Sequence, residues 1–311
     1  MHSFKWLFAV VALVVVAVFF TLSLRAYQSE ADEQLTTGVP DSALSQRGSA
    51  LQARLSSAIE PSVPARRVAP LEFVYSPWMR RLQQNAFQVG EKLVYKVKYG
   101  IITAGEAELA IPTISQFNGH SVFEITSRIQ TASTFNRIFR VDDLVRSLVD
   151  EQGIFSWYIE EHLREGKYNA DRWIILNHQV GLAYNARDTV AIAPFTQDVL
   201  SIIYFIRSQP LKSGAVIETE NIINMKRYPV DVHILGQERV NVKAGDFNCF
   251  QVEPRYRPGF DKKPKGEMKL WVSNDQRKLP IRIITSTPFG SLKMELESTS
   301  GLIGLAAADT D

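Results

Sequence analysis

From residue 93 onward the chain changes polarity at every second position, and this alternation limits its fold more than any other feature. In LVYKVKY, Leu93, Tyr95, Val97 and Tyr99 fall on one face and Lys96 and Lys98 on the other. That is the signature of a half-buried strand. The same reading makes strands of residues 104–111, 121–131, 144–149, 155–161, 172–177 and 182–184, with breaks at Gly100, Asn118-Gly119, 150–153 and Gly181. It continues over 228–235, 239–242, 248–253, 267–272, 281–285 and 292–297. In the last pair, Ile281 and Ile283 alternate with Arg282, and beyond Pro288-Phe289-Gly290, Leu292, Met294 and Leu296 alternate with Lys293, Glu295 and Glu297. Adjacent strands joined by short turns imply an antiparallel sheet. About eleven or twelve strands do not stay flat, so the sheet is expected to curl into a barrel, a half-barrel or a sandwich.

One segment of this region reads as helix: TQDVLSIIYFIRSQP, with Thr196 placed as N-cap, Asp198 in the first turn and Pro210 beyond the end. Val199, Leu200, Ile202, Ile203, Tyr204, Phe205 and Ile206 wrap most of its circumference, so it must be covered. The expected fold is therefore mainly β, a curved antiparallel barrel or half-barrel packed on one apolar helix. That helix either fills the core or walls an apolar ligand cavity. Tyr204 and Phe205 are the cavity candidates on the helix, with Tyr95 and Tyr99 facing them from the first strand.

The chain organisation follows from what precedes the strands. Residues 6–24 carry no charge and, as a helix, would span roughly 28 Å, enough to cross a bilayer. The flank Ser23-Leu24-Arg25-Ala26 makes a poor cleavage site, which favours an uncleaved anchor over a signal peptide. Expected units are a signal-anchor or transmembrane segment 1–26, a linker 27–70, a β-rich domain 71–303 and a tail 304–311. Within the linker, Leu44, Leu51, Leu55 and Ile59 fall on one helical face, as in a short linker helix or a partner-binding one. The anchor predicts a single-pass membrane protein whose main domain is carried outward; in a bacterium that means the inner membrane with the main domain in the periplasm, the alternative being release to the periplasm after cleavage.

Charge and cysteine content exclude several classes. Lys5 and Arg25 are the only charged residues in 1–26, so the remainder balances 33 basic against 33 acidic residues. A nucleic-acid binder needs an excess of Lys and Arg, and none is present. The single cysteine, Cys249, cannot form an intrachain disulfide, and its place in a strand predicts an inert buried thiol. His2, His120, His162, His178 and His233 show no metal-ligand spacing. GxSxG, GxxxxGKS and GxGxxG are absent from the sequence. The densest polar cluster, Glu160, Glu161 and Glu165 with Arg164, Lys167 and Tyr168, reads as an ion-paired strand end, with acid-base chemistry as the alternative. Glu106 and Glu108 read as facing water or lining a polar part of the concave surface. In RYRPGFDKKPKGE, Arg255, Arg257, Lys262 and Lys263 surround Phe260, an arrangement suited to anionic headgroups or to a solvated hairpin loop.

Four stretches carry a family resemblance: FQVGEKLVYKVKYGIITAGEAEL, DVLSIIYFIRSQPLKSG, ERVNVKAGDFNCFQVEP and KGEMKLWVSNDQRKLPIRI. Their order resembles that of a domain-of-unknown-function family of bacterial exported proteins, over about residues 87 to 300. The resemblance implies a Gram-negative envelope location and a β-rich fold similar to lipocalins or the half-barrels of lipoprotein carriers. It implies no activity and transfers no catalytic residue, cofactor or metal. The sequence thus leads to a non-catalytic, membrane-tethered binding or carrier module for a lipid-like ligand. The alternatives are an envelope scaffold that binds another protein through its sheet edge or concave face, and an enzyme with an unrecognised site.

Overall fold

The computed structural model describes residues 80–133, 139–257, 267–287 and 290–304. The anchor 1–26, the linker 27–70, Lys262, Lys263, the turn residues Pro288 and Phe289, and the tail beyond Gly304 lie outside the described residues.

The alternating stretches form β1 (Lys92–Tyr99), β2 (Ile102–Phe117), β3 (His120–Thr131), β4 (Asp142–Asp150), β5 (Ser156–Glu165), β6 (Tyr168–Asn177), β7 (Leu182–Tyr184) and β8 (Thr189–Ala191). Helix α1 (Ser201–Ser208) follows. The chain then returns through β9 (Val216–Ile223), β10 (Lys226–Val242), β11 (Gly245–Tyr256), β12 (Glu267–Ser273), β13 (Pro280–Thr287) and β14 (Gly290–Ser300). The described residues thus form one curved, unclosed sheet of 14 strands in the order β8-β7-β6-β5-β4-β3-β2-β1-β14-β13-β12-β11-β10-β9. Every neighbour pair is antiparallel, and the first and last strands join in the middle, from Lys92↔Ser300 to Tyr99↔Leu292. Bulges between Val94 and Tyr95, Ala110 and Thr113, and Ile234 and Gln237 raise the local twist that coils the sheet.

The 14 strands depart from the expected eleven or twelve in both directions, one by merging and two by addition. Residues 228–235 and 239–242 are one strand, β10, carried past Gly236 by the bulge. β8 has three residues, too few to show a period. β9 turns Thr219 and Asn221 inward, which blurs its polarity. Both are hydrogen-bonded there: Thr219 Oγ1 donates to the Val230 carbonyl (3.0 Å), and Asn221 Nδ2 donates to Thr219 Oγ1 (2.9 Å) and the Tyr228 carbonyl (3.1 Å).

α1 begins five residues later than the cap expected at Thr196. Asp198 does the capping: Oδ1 accepts the Leu200 and Ser201 N–H groups (2.8 and 2.7 Å), and the Asp198 N–H donates to Ser201 Oγ (2.8 Å). This is the reciprocal arrangement of a capping box. Thr196 and Gln197 serve the sheet instead. The Ser156 N–H donates to the Thr196 carbonyl (3.4 Å), the Gln197 N–H to the Glu220 carbonyl (2.7 Å) and the Ile222 N–H to the Gln197 carbonyl (2.9 Å). Two residues therefore stitch β5 to β9, which do not pair directly.

Polarity also separates this sheet from a membrane-spanning barrel, which turns an apolar band outward. Here the outward faces of β1, β2, β13 and β14 carry ion pairs: Lys92–Glu108 (3.0 Å), Lys96–Glu106 (2.6 Å), Lys98–Glu295 (2.8 Å) and Arg282–Glu295 (2.8 Å). Leu93, Tyr95, Val97, Ile281, Ile283, Leu292, Met294 and Leu296 face inward into the core. Among the described residues, no helix is long and apolar enough to cross a membrane.

Candidate functional site

The interior has two regions of different character, and α1 lies against both. Toward its C-terminal end the core is solid. Arg207, from the last turn, meets Glu91, just before β1, in a two-point ion pair with both side chains essentially without solvent exposure: Nη1 to Oε1 2.6 Å and Nη2 to Oε2 2.7 Å. The remaining guanidinium donors reach the carbonyls of Ala86 (Nη2, 3.0 Å) and Arg277 (Nε and Nη2, 3.2 Å). Burial works against the Arg207 charge, but Glu91 outweighs it and holds the guanidinium more basic than usual. The rings of Phe87 and Tyr204 lie 5.2 and 5.0 Å from the guanidinium carbon and pack edge to face on each other. Tyr95 donates its hydroxyl to the Pro280 carbonyl (2.9 Å).

Toward the N-terminal end of α1 the inner face turns polar. Asp198 is 1% exposed, yet every donor it needs is at hand: Ser147 Oγ and Ser156 Oγ (the latter at 2.6 Å) donate to Oδ2, while Oδ1 holds the cap. β4 and β5 pair Leu144 with His162 and Val145 with Glu161, which puts Asp143, Val145 and Ser147 on the inner face beside Leu163, Glu161 and Ile159. Asp143 accepts the Arg164 N–H (2.7 Å) and a hydrogen bond within a carboxyl pair with Glu165, both being buried. Burial pushes the Asp143 carboxyl up to about 6, against the Arg164 hydrogen bond. Burial also raises the half-buried Glu161; Arg172 opposes the rise and the Asp198 and Asp143 charges add to it.

Beside Asp198 the packing leaves a small hollow of about 10 Å³, lined by Val199, Ile202, Asn221, Ile223, Tyr228 and Val230. That is room for about one water molecule, far below the roughly 300–1,000 Å³ of ordinary ligand pockets.

The sequence candidates divide between these regions. Tyr95 and Tyr204 come together, but around the Arg207–Glu91 pair rather than around open space. Phe205 lies on another side of α1 beneath the Arg80 guanidinium (4.4 Å), which also covers Phe195 (4.8 Å). Tyr99 is at the far end of β1, against Gly290. Arg257 is held by Asp231 (2.9 Å) and Glu220 (3.0 Å), and Arg255 by Glu253 (2.7 Å), so nearby carboxylates already answer both charges. Lys262 and Lys263 lie outside the described residues. The glutamate cluster is split by strand alternation: Glu160 faces outward to Arg146 (2.7 Å) and Tyr158 (2.8 Å), while Glu161 and Glu165 face inward.

Asp143 and Asp198 were not singled out as site residues by sequence reasoning. An aspartate one position before an alternating run reads as the turn before a strand, and Asp198 reads only as a first-turn acid. Cys249 is buried and its thiol is pushed up to about 12 by burial, as expected for an unreactive sulfur. Among the described residues, no group of three or more His, Cys, Asp or Glu side chains is placed to hold a metal ion.

A family model described as Protein of unknown function (DUF3108) matches residues 94–297, and with it the resemblance carried by the four motifs is borne out. None of the curated proteins matches the chain. Among solved structures, a β-barrel-like protein of domain of unknown function DUF1849 from Brucella abortus is 10% identical, with a TM-score of 0.46 over 70% of this chain and 99% of that one. A protein described as exported, with a YmcC-like fold, from Bacteroides fragilis is 12% identical, with a TM-score of 0.31 over 71% and 99%. A protein described as a lipoprotein from Parabacteroides distasonis is 11% identical, with a TM-score of 0.32 over 71% and 99%.

Proposed function

The chain belongs to the DUF3108 family of proteins of unknown function, and we propose that it is a non-catalytic binding module of the cell envelope, tethered to the inner membrane by residues 6–24, that takes a lipid-like ligand on the inner side of its unclosed sheet beside α1. The observation that carries this reading is the sheet itself: 14 antiparallel strands curve around one apolar helix, with β8 and β9 left at opposite ends of the strand order. Val199, Ile202, Ile223 and Val230 are packed as closely as the rest of the core, so entry of a ligand requires the unclosed side of the sheet to part. Withdrawing α1 would strand Glu91 without its partner, so the opening leaves the helix in place.

β9 ends the strand order with only Gln197 bonded to its outer edge, and this edge supports a second reading, a scaffold that adds a strand from another protein. Native mass spectrometry of the full-length chain released from envelope membranes, with solvent extraction of the same sample, separates the two. A reproducible adduct recovered as a lipid-like molecule is expected. A clean protein mass with a lipid-free extract would sink the carrier reading.

A further inference from the structure

β6 outruns the strand beside it. β7 pairs with it only from Ile175 to Asn177, so residues 168–174 form a sheet edge with no strand beyond them among the described residues. The direction of the backbone groups on this edge follows from β5. The Arg164 N–H turns to Asp143 on the β4 side (2.7 Å). By strand alternation Leu163 and Glu161 turn theirs to β6, where they pair with Ala170 and Arg172. Asn169, Asp171 and Trp173 therefore aim their N–H and C=O groups out from the sheet. Their side chains are exposed too, with Trp173 at 38% and Tyr168 at 37%. The stretch holds no proline, and its register against β5 is unbroken. An edge without such devices is a template for another strand.

The side chains of this edge complement themselves. Two copies related by a two-fold axis pair their edges antiparallel, and because opposite residues share a face, the axis falls on one residue. An axis at Arg172 sets guanidinium against guanidinium, and one at Asp171 sets carboxylate against carboxylate. An axis at Asn169 leaves only Tyr168 to Ala170 overlapping within the strand. At Ala170 a small side chain meets itself, Arg172 faces Tyr168, and Asp171 faces Asn169, once on each side of the axis. The Arg172 guanidinium already donates to the Tyr168 hydroxyl within one chain, so the same pairing is open across the axis. His162 Nδ1 and Arg164 Nη2 both hold Asp171 Oδ1 at 2.7 Å, which fixes the carboxylate to accept the Asn169 amide of the second copy.

We propose that the β6 edge is a contact between two copies of this chain, in which Tyr168 to Arg172 pair antiparallel with the same residues of the second copy about an axis at Ala170, joining two sheets into one. The contact stands apart from the ligand reading and leaves the edge of β9 free. It is small, and tethering both copies to one membrane raises their effective concentration and favours it. Its geometry is specific. The backbone groups of Ala170 point to β5, so the two Ala170 residues form a non-hydrogen-bonded pair with Cα atoms about 4.5 Å apart, within the span of a disulfide. Asn169 faces Asp171 instead of itself, which leaves like residues at either position roughly 9 Å apart, beyond that span.

The test is oxidative cross-linking of the full-length chain in the envelope of the cells that make it, using copper phenanthroline and reading the product by mass on a non-reducing gel. The native Cys249 is buried, so the unsubstituted chain is expected to stay monomeric. Ala170→Cys is expected to give a disulfide-linked dimer of twice the chain mass, at least tenfold more than Asn169→Cys or Asp171→Cys. Adding Asn169→Pro to Ala170→Cys, which removes only an N–H that points outward, is expected to abolish the dimer. Equal cross-linking at all three positions would show random collision and overturn the pairing. A dimer favoured at position 169 or 171 would overturn the axis at Ala170. No dimer at any position would overturn the contact, and a disulfide from position 170 to a different protein would replace the second copy with that protein.

Discussion

Replacing Arg207 by methionine is expected to lower stability by about 3–5 kcal/mol, since it leaves the Glu91 carboxylate buried with its counter-charge removed. For a domain of this size that corresponds to a fall in Tm of roughly 10 °C. The loss is expected to be non-additive. Glu91→Leu with Arg207→Met is expected to recover most of it, because two apolar side chains in contact do not require the hydrogen bonds that the ion pair makes. A thermal-denaturation double-mutant cycle reads the coupling directly. Equal losses in the single and double variants would mean that the guanidinium matters for its contacts with the Ala86 and Arg277 carbonyls rather than for Glu91.

Asp198→Ala is the second large effect. It removes the acceptor for two helix-start amides and two serine hydroxyls, all in the buried seam region. A lost cap costs about 1 kcal/mol, and each buried donor left unpaired costs about 1–3 kcal/mol unless it finds another acceptor. A total loss of roughly 2–4 kcal/mol in urea unfolding is expected. Asp198→Asn is expected to lose less than half as much, since its carbonyl oxygen still accepts the two amides and both serine hydroxyls can rotate to accept from its NH₂. Equal losses for the two variants would show that charge, not hydrogen-bond geometry, sets the role of Asp198.

These two residues also show how far the sequence could be read. Period two assigned the outer face correctly where the outward side chains are charged, as with Glu106 and Glu108 on β2, both ion-paired to lysines of β1. It also found α1 from its apolar circumference. It could not see that Arg207 belongs to Glu91, 116 residues earlier, because local spacing holds no information about that contact. Glu91 and Arg207 each read as ordinary polar residues at the edges of apolar runs. Polarity was misleading at β4 as well, where Leu144 is exposed and Asp143 is buried, an inversion paid for by the carboxyl pair with Glu165. Thr196 looked like a helix cap because Thr is common there, whereas the chain uses its carbonyl to stitch β5 toward β9. Closure of a sheet depends on which edges meet in space, so barrel and half-barrel were indistinguishable until β8 and β9 were placed at opposite ends of the strand order.

The account rests on a ligand held on the inner side of the sheet beside α1. Amide hydrogen exchange of the full-length chain, compared as isolated and after delipidation, examines that place without altering a residue. Slower exchange in the as-isolated protein across Val199 to Ile202 and Asn221 to Val230, with the Glu91–Arg207 region unchanged, is the expected result. Identical exchange in those two segments, or protection confined to the outer face of the sheet, would contradict it.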